Sequence, residues 1–340
     1  MERWKRFPPE HGGLLLPLDA GPAAAVAALG AYAGCRPGAG LARAAAAGWA
    51  RLLGPGRLPG HPEAWDPPLA HEQWEALLET LRRRTVRFDA LAVLERRQPH
   101  RAGLALLLLQ GGSAAAFVKL RPAPSAGLAR EAEALDRLEH AAPRAFHAPV
   151  LLDRGTAGEW EWLALSALPG PHHVPRSPRL DRVCASVWGA LADLPRDLSV
   201  PSRWTPMHGD LTPWNLRESP GHGLLLYDWE RAGWGPPGAD AVLYQVTEAA
   251  LRGSHCVDHA RWRCARWPEA AAFWAARLRR RHPADEGERR LLQAQLDILD
   301  PGGRAEADET GLLARGSCPA VVADEEAEKT GIPASAGGAG

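Results

Sequence analysis

Met207-His208-Gly209-Asp210-Leu211-Thr212-Pro213-Trp214-Asn215, with Leu224-Leu225-Leu226-Tyr227-Asp228-Trp229-Glu230 shortly after it, decides how the chain is read. Asp210 and Asn215 share one loop, and Asp228 ends an apolar run that reads as a strand. The turn between them falls at Ser219-Pro220-Gly221. Two carboxylates and an amide brought together this way can orient a hydroxyl and hold Mg²⁺, a hard cation that takes oxygen ligands. The spacing points to phosphoryl transfer.

Upstream, the hydrophobic period is that of strands. Phe88 to Glu95, Leu104 to Gln110 and Ala114 to Leu120 read as three of them, with Gly111-Gly112-Ser113 a tight turn between the last two. Alternation puts Lys119 on the same face as Phe117. A helix follows from about Ser125 to His140, with Leu128, Leu135 and Leu138 on its apolar side and Glu131 and Glu133 in its early turns. A strand lysine followed by a helix carrying Glu lets a carboxylate steer an ammonium onto nucleotide phosphates. Read singly, Lys119 is a strand-end surface lysine and Glu131 a solvated helix charge. Pro149 to Leu152 and Trp160 to Ala167 complete a five-stranded pattern, which Leu168-Pro169-Gly170 ends as a hinge. The connection Arg96 to Gly103 lies where a phosphate-covering loop would lie, yet it has a single glycine.

Helices are expected at about Asp181 to Leu194, Asp240 to Arg252, His259 to Arg281 and Glu286 to Leu299, with Trp262, Trp267 and Trp274 in the core. Residues 1–84 are rich in Ala, Gly and Pro and read as a helical extension: Ala23 to Tyr32, Leu41 to Leu53 and the amphipathic His71 to Arg84. After Pro301 the chain turns low-complexity and acidic, with too few apolar residues to bury, so residues 301–340 are expected to be disordered.

Composition sets limits on function. Forty basic and forty acidic residues give a net charge of zero, which predicts neither nucleic-acid nor membrane partners. Five scattered cysteines without a C-x-x-C pair read as reduced thiols of a cytoplasmic protein. Pro8, Pro9, Glu10 and His11 interrupt the approach to the first apolar region, against a signal peptide, and no stretch reads as a transmembrane helix. The cations are nearly all Arg. Lys119 is one of only three lysines, and Asn215 is the sole asparagine. In a chain so depleted of both types, these two positions are ones where replacement was not tolerated. Arg does not replace a compact ammonium, and few side chains replace a neutral amide ligand.

Together these residues carry a family resemblance. His208-Gly209-Asp210 with Asn215 matches the H-G-D-x-x-x-x-N loop, Asp228-Trp229-Glu230 the D-W-E segment, and Gly235-Pro236-Pro237 with Asp240 the G-x-P-x-x-D segment of aminoglycoside phosphotransferases and choline kinase-like proteins. From about Phe88 to Leu299 the chain resembles that family. The resemblance implies an α+β, bilobal, protein-kinase-like fold. A small antiparallel-sheet N-lobe (85–168) would bind nucleotide, and a mainly helical C-lobe (169–300) would carry the catalytic loop, metal site and acceptor site. It implies that Asp210 accepts the proton of an acceptor hydroxyl, that Asn215 and Asp228 ligate Mg²⁺, and that Lys119, held by Glu131, contacts the phosphates of ATP. The backbone of Ser166 to Leu168 would recognise adenine, and His208 and Asp240 would support the loop. Glu230 would stand behind the metal or face the substrate. The extension before Thr85 is outside the family pattern.

Gly209 stands where protein kinases carry an arginine, and the short run from Asp228 to Asp240 leaves no room for a peptide-cradling segment. A small-molecule hydroxyl acceptor is therefore expected: a sugar, an amino alcohol or an aminoglycoside-like compound. The Arg-rich C-terminal helices disfavour a polycation. A silent nucleotide-binding pseudokinase serving as regulator or scaffold, and a protein kinase, are the competing readings. The oligomeric state is not written in the sequence.

Overall fold

The alternation between Ala90 and Ser166 pairs into one antiparallel sheet that the N-terminal residues extend. In chain order, β1 (Arg3–Phe7) and β2 (Leu14–Pro17) precede α1 (Gly21–Ala31) and α2 (Ala39–Leu53), then β3 (Pro62–Ala64) and α3 (His71–Arg84). The lobe continues as β4 (Ala90–Glu95), β5 (Leu104–Gln110), β6 (Ser113–Pro122), α4 (Ala126–Ala141), β7 (Leu151–Ala157) and β8 (Trp160–Ser166). The second lobe has α5 (Leu180–Ala190), β9 (Thr205–Met207), β10 (Leu216–Ser219), β11 (Gly223–Leu226) and β12 (Gly233–Gly235). Four helices close it: α6 (Ala239–Arg252), α7 (Ser254–Arg266), α8 (Pro268–Arg279) and α9 (Glu286–Leu299). This computed structural model describes residues 3–8, 13–31, 39–95, 103–170, 172–175, 178–283 and 285–301. All but Gly103 of the expected phosphate loop, Arg96 to Gly103, and all but Pro301 of the expected tail, 301–340, lie outside the described residues.

The first sheet has eight strands in the order β3-β1-β2-β4-β5-β6-β8-β7, not the five expected. The extra three come from the extension, which carries its expected helices and also lengthens the sheet. Arg3–Phe7 has two adjacent charges, Lys5 and Arg6, that break its alternation, and Leu14–Pro17 is short and apolar throughout, so neither shows strand alternation in isolation. Their pairing partners supply the missing information: β2 joins β4 through Leu14–Leu94 and Leu15–Val93. The Gly111-Gly112 turn forms as expected, both glycines at positive φ, which matches the twist of the strands it joins.

Both faces of this sheet are covered from the extension. Trp74, Leu77, Leu78 and Leu81 of α3 pack with Trp4 and Leu15 against Val93, Leu106, Leu108 and Val118. On the other face, Leu29 and Ala50 pack with Leu14, Leu16, Leu107 and Leu109. Across the cleft, α4 belongs as much to the second lobe as to the first. Leu128, Leu135 and Leu138 share a core with Val183, Val187, Leu211, Leu226 and Trp229.

The helix expected over His259 to Arg281 is two helices. Pro268 has no N–H to donate and suits the first turn of a new helix, so α7 ends at Arg266 and α8 starts at Pro268. Of the three tryptophans expected in the core, Trp274 is fully buried and Trp267 packs partly against that core, but Trp262 is 56% exposed and stacks on His259. Among the described residues no helix is long and apolar enough to cross a membrane.

Candidate active site

The loop after β9 is held from below by one carboxylate. Asp240, in the first turn of α6, accepts from the backbone N–H of His208 at 2.7 Å and of Gly209 at 3.0 Å. Its own carboxyl is raised by burial, against the pull of His208 and these two N–H groups. His208 is fully buried. Its Nδ1 accepts from the Asp210 N–H at 3.1 Å, its Nε2 donates to the Tyr227 carbonyl at 3.2 Å, and its ring lies 4.5 Å from that of Trp229. Burial lowers its pKa, which keeps the ring neutral and able both to accept and to donate. Gly209 is fixed by space and by backbone. Its φ is +78°, and a Cβ there would come 2.0 Å from the Arg231 carbonyl oxygen. No other residue fits.

Asp210 and Asn215 meet across this loop. The Asn215 amide nitrogen donates to the Asp210 carbonyl at 2.9 Å and to its Oδ2 at 3.1 Å, which leaves the amide oxygen uncommitted to Asp210. Asp210 is pushed up to about 6, first by burial, with Arg281 and Arg231 opposing.

Asp228 follows β11 with φ 70°, a left-handed conformation that Asp tolerates better than most residues. On the facing lobe, β6 presents Lys119, and its Nζ donates to both Glu131 oxygens at 2.8 and 2.6 Å and to Asp228 Oδ1 at 2.5 Å. Burial alone would lower this ammonium's pKa. Asp228 and Glu131 instead raise it to about 12, so it stays charged. Glu131 is fully buried on α4 and also accepts from the Trp229 N–H at 3.3 Å. The strand lysine and helix glutamate read from the sequence are thus brought together, and Glu131 is not the solvated helix charge it resembles when read alone.

The carboxylate oxygens of Glu131, Asp228 and Glu230 lie within 4.8 Å of one another. With the Asn215 amide this is an all-oxygen donor set, the chemistry a hard divalent cation takes. Lys119 bonds both Glu131 oxygens and Asp228 Oδ1, so a cation bound here would compete with the ammonium for Asp228.

Ser166 ends β8, where its N–H donates to the Val150 carbonyl at 2.8 Å and its hydroxyl accepts from the Val150 N–H at 2.9 Å. Its backbone N–H is therefore spent within the first lobe. Leu168 lies just beyond the strand, half-buried, on the connection between lobes.

Three arginines at this site were not singled out in the sequence. Arg121 is two residues past Lys119 on β6, 8% exposed, and its guanidinium reaches Glu230 at 3.5 Å. The period of two that placed Lys119 also placed Arg121, so that signal was available. Arg231 adjoins the D-W-E segment. Arg281 follows α8 and sits 3.8 Å from Asp210 Oδ1. Nothing in the sequence marks it, because Arg is the ordinary cation of this chain.

No curated protein matches the chain. Solved structures of similar fold include aminoglycoside-3'-phosphotransferase of type VIII, at 21% identity over 67% of this chain and 100% of that one, TM-score 0.41. A macrolide 2'-phosphotransferase from Brachybacterium faecium aligns at 17% identity over 67% of this chain and 98% of that one, TM-score 0.38. Amicoumacin kinase, solved with AMP-PNP and Ca²⁺, aligns at 10% identity over 68% of this chain and 97% of that one, TM-score 0.41. Residues 186–292, a span that contains Asp210, Asn215, Asp228 and Asp240, match the model of the phosphotransferase enzyme family. That match takes in the loop and strand that bring Asp210, Asn215 and Asp228 together, and the likeness to the family model extends over this segment of the chain.

Proposed function

We propose that the protein is an ATP-dependent phosphotransferase that transfers the γ-phosphoryl group to a hydroxyl of a small molecule in the cytoplasm, with Mg²⁺ as cofactor. The observation that carries this reading is the convergence at one cleft of Asp210 and Asn215 with the Lys119–Glu131–Asp228 cluster. Asp210 accepts a hydrogen bond from the acceptor hydroxyl and takes its proton as the new P–O bond forms and the bond to the β-phosphate oxygen breaks, releasing ADP. The transition state of such transfers is loose, so positioning counts for more than basicity. Lys119, steered by Glu131, moves from Asp228 onto the phosphates. Asn215 and Asp228 would hold Mg²⁺, which when bound offsets charge on the nucleotide phosphates. Leu168 and its neighbours on the connecting chain offer backbone groups to adenine, and Glu230, held by Arg121, stands behind the metal ligands.

A small acceptor fits the segment after Asp228. It turns at once into β12, which pairs with β9 through Gly233–Met207 and Gly235–Thr205. Tied back in this way, it has no length left to cradle a peptide.

The test is ADP release from Mg²⁺-ATP across a library of hydroxyl compounds. We expect Mg²⁺-dependent release with at least one acceptor. Asp210→Ala is expected to cut turnover about 10²–10⁴-fold, the usual contribution of a positioned base, while ATP affinity changes little. Asp228→Ala is expected to weaken Mg²⁺-ATP binding, and unchanged affinity would remove it from the metal site. Tight nucleotide binding without release on any acceptor would favour the regulator or scaffold reading instead.

A further inference from the structure

Cations outweigh carboxylates around Asp210, whereas carboxylates outnumber cations on the nucleotide side of the cleft. Across the cleft, Glu131 and Asp228 are engaged by Lys119, and Glu230 by Arg121. At Asp210 the strongest neighbouring charges are Arg281 and Arg231, ahead of Asp228 and Glu230. The Arg281 guanidinium is 27% exposed and lies 3.8 Å from Asp210 Oδ1, outside hydrogen-bond length, so it acts as a neighbouring charge rather than a ligand. Arg231 is fixed by its main chain, pressed against Gly209 so closely that a Cβ there would meet its carbonyl oxygen. Asp210 therefore has the Arg281 guanidinium at ion-pair distance and the charge of Arg231 in its neighbourhood, beside the place where the acceptor hydroxyl must arrive.

We propose that the acceptor carries an anionic group close to its reactive hydroxyl, a carboxylate or a phosphate, which Arg231 and Arg281 receive. This rests on the phosphotransferase reading. An ammonium entering beside these arginines meets like charge in a partly buried site where solvent screens poorly. A carboxylate or phosphate instead matches the forked donors of guanidinium, which bind such groups through paired hydrogen bonds. Its arrival also competes for Arg281 and relieves Asp210 of an opposing charge, leaving that carboxylate for the hydroxyl proton. The two arginines thus act as specificity-determining residues for an acceptor of the opposite sign to an aminoglycoside.

The test separates binding from transfer. With the nucleotide site filled by Mg²⁺-AMP-PNP, citrate and kanamycin are titrated calorimetrically into wild type, Arg281→Ala, Arg281→Lys and the Arg231→Ala/Arg281→Ala double variant. Thermal melts check that each is folded. ADP release is then compared for gluconate, 6-phosphogluconate, glucose and glucosamine against the water background. We expect citrate to bind the filled enzyme and to weaken by about tenfold or more in Arg281→Ala, further in the double variant and least in Arg281→Lys. Among the acceptor probes, the anions are expected to raise ADP release over water more than glucose or glucosamine does. Citrate binding that is absent, or unchanged in folded variants, overturns the proposal, as does kanamycin binding more tightly than citrate. If citrate binds through the arginines but ADP is never released, even to water, the anion site stands and the phosphotransferase reading falls.

Discussion

Burial raises the Asp210 carboxyl from an ordinary value of 3.8 to about 6 although two arginines pull the other way. The unfolded chain gives up this proton near 3.8 and the folded chain near 6, so the folded state loses stability as pH climbs through that window. The deficit is complete above it, and a gap of this width costs the folded state roughly 2–3 kcal/mol. Asp210→Asn removes the charge and keeps an oxygen to accept from Asn215. At pH 7.5 it is expected to raise the unfolding free energy by about 1–3 kcal/mol, with the gain shrinking near pH 4, while transfer is lost. Urea melts of both proteins at the two pH values check this, and equal stability at pH 7.5 would contradict it. Most residues of the candidate site were legible in the sequence because the loop and the D-W-E segment are local patterns, and because Asn215 and Lys119 are rare types in this chain. Arg281 was not, since it lies far along the chain from Asp210, beyond α8, and its residue type is the common one.

Among the elements, α4 matters most to the site, because it carries Glu131 to Lys119. Its start is set by Ser125, whose hydroxyl accepts from the Leu128 N–H at 3.3 Å while its own N–H donates to Glu161 at 3.1 Å. An N-cap hydroxyl satisfies a donor that the first turn otherwise leaves open, and its loss costs about 0.5–2 kcal/mol. Ser125→Ala should lower stability by about 1 kcal/mol, and Ser125→Thr should restore most of it. Chemical denaturation of the three proteins measures this, and an Ala variant as stable as wild type would show that the cap contributes nothing. The sequence located this helix to within a residue at each end, since its apolar period and its cap agree. It failed where a period continued across a break. The apolar positions on either side of Trp267 keep helical spacing, and only the missing N–H of Pro268 divides them into two helices. It failed again at β1 and β2, which are strands because of what they pair with, not because of their own pattern.

At the scale of the whole molecule, the described residues before Thr85 are structural material for the first lobe. Trp4, Leu15, Trp74, Leu77, Leu78 and Leu81 cover one face of the sheet, and Phe7, Leu14, Leu16, Leu29 and Leu58 the other. Burying each such side chain contributes about 1.5–3 kcal/mol, so losing even half of them removes as much as the about 5–15 kcal/mol net stability of a typical domain. The extension also reaches the chain between the lobes, where Arg43 donates to the His172 carbonyl at 3.5 Å. Cutting at Thr85 would further expose β4 as an unpaired edge, since β2 is its neighbour on that side. A fragment spanning 85–301 is therefore expected to lack a cooperative thermal transition, to bind the dye ANS and to aggregate. Adding the 1–84 segment in trans should recover part of the fold by restoring the missing strands and covers. Circular dichroism melts and dye binding on the fragment alone decide the matter. If 85–301 melts as sharply as the full chain and binds nucleotide equally well, the extension is an appendage and the eight-stranded sheet is not the unit that holds Lys119 in place.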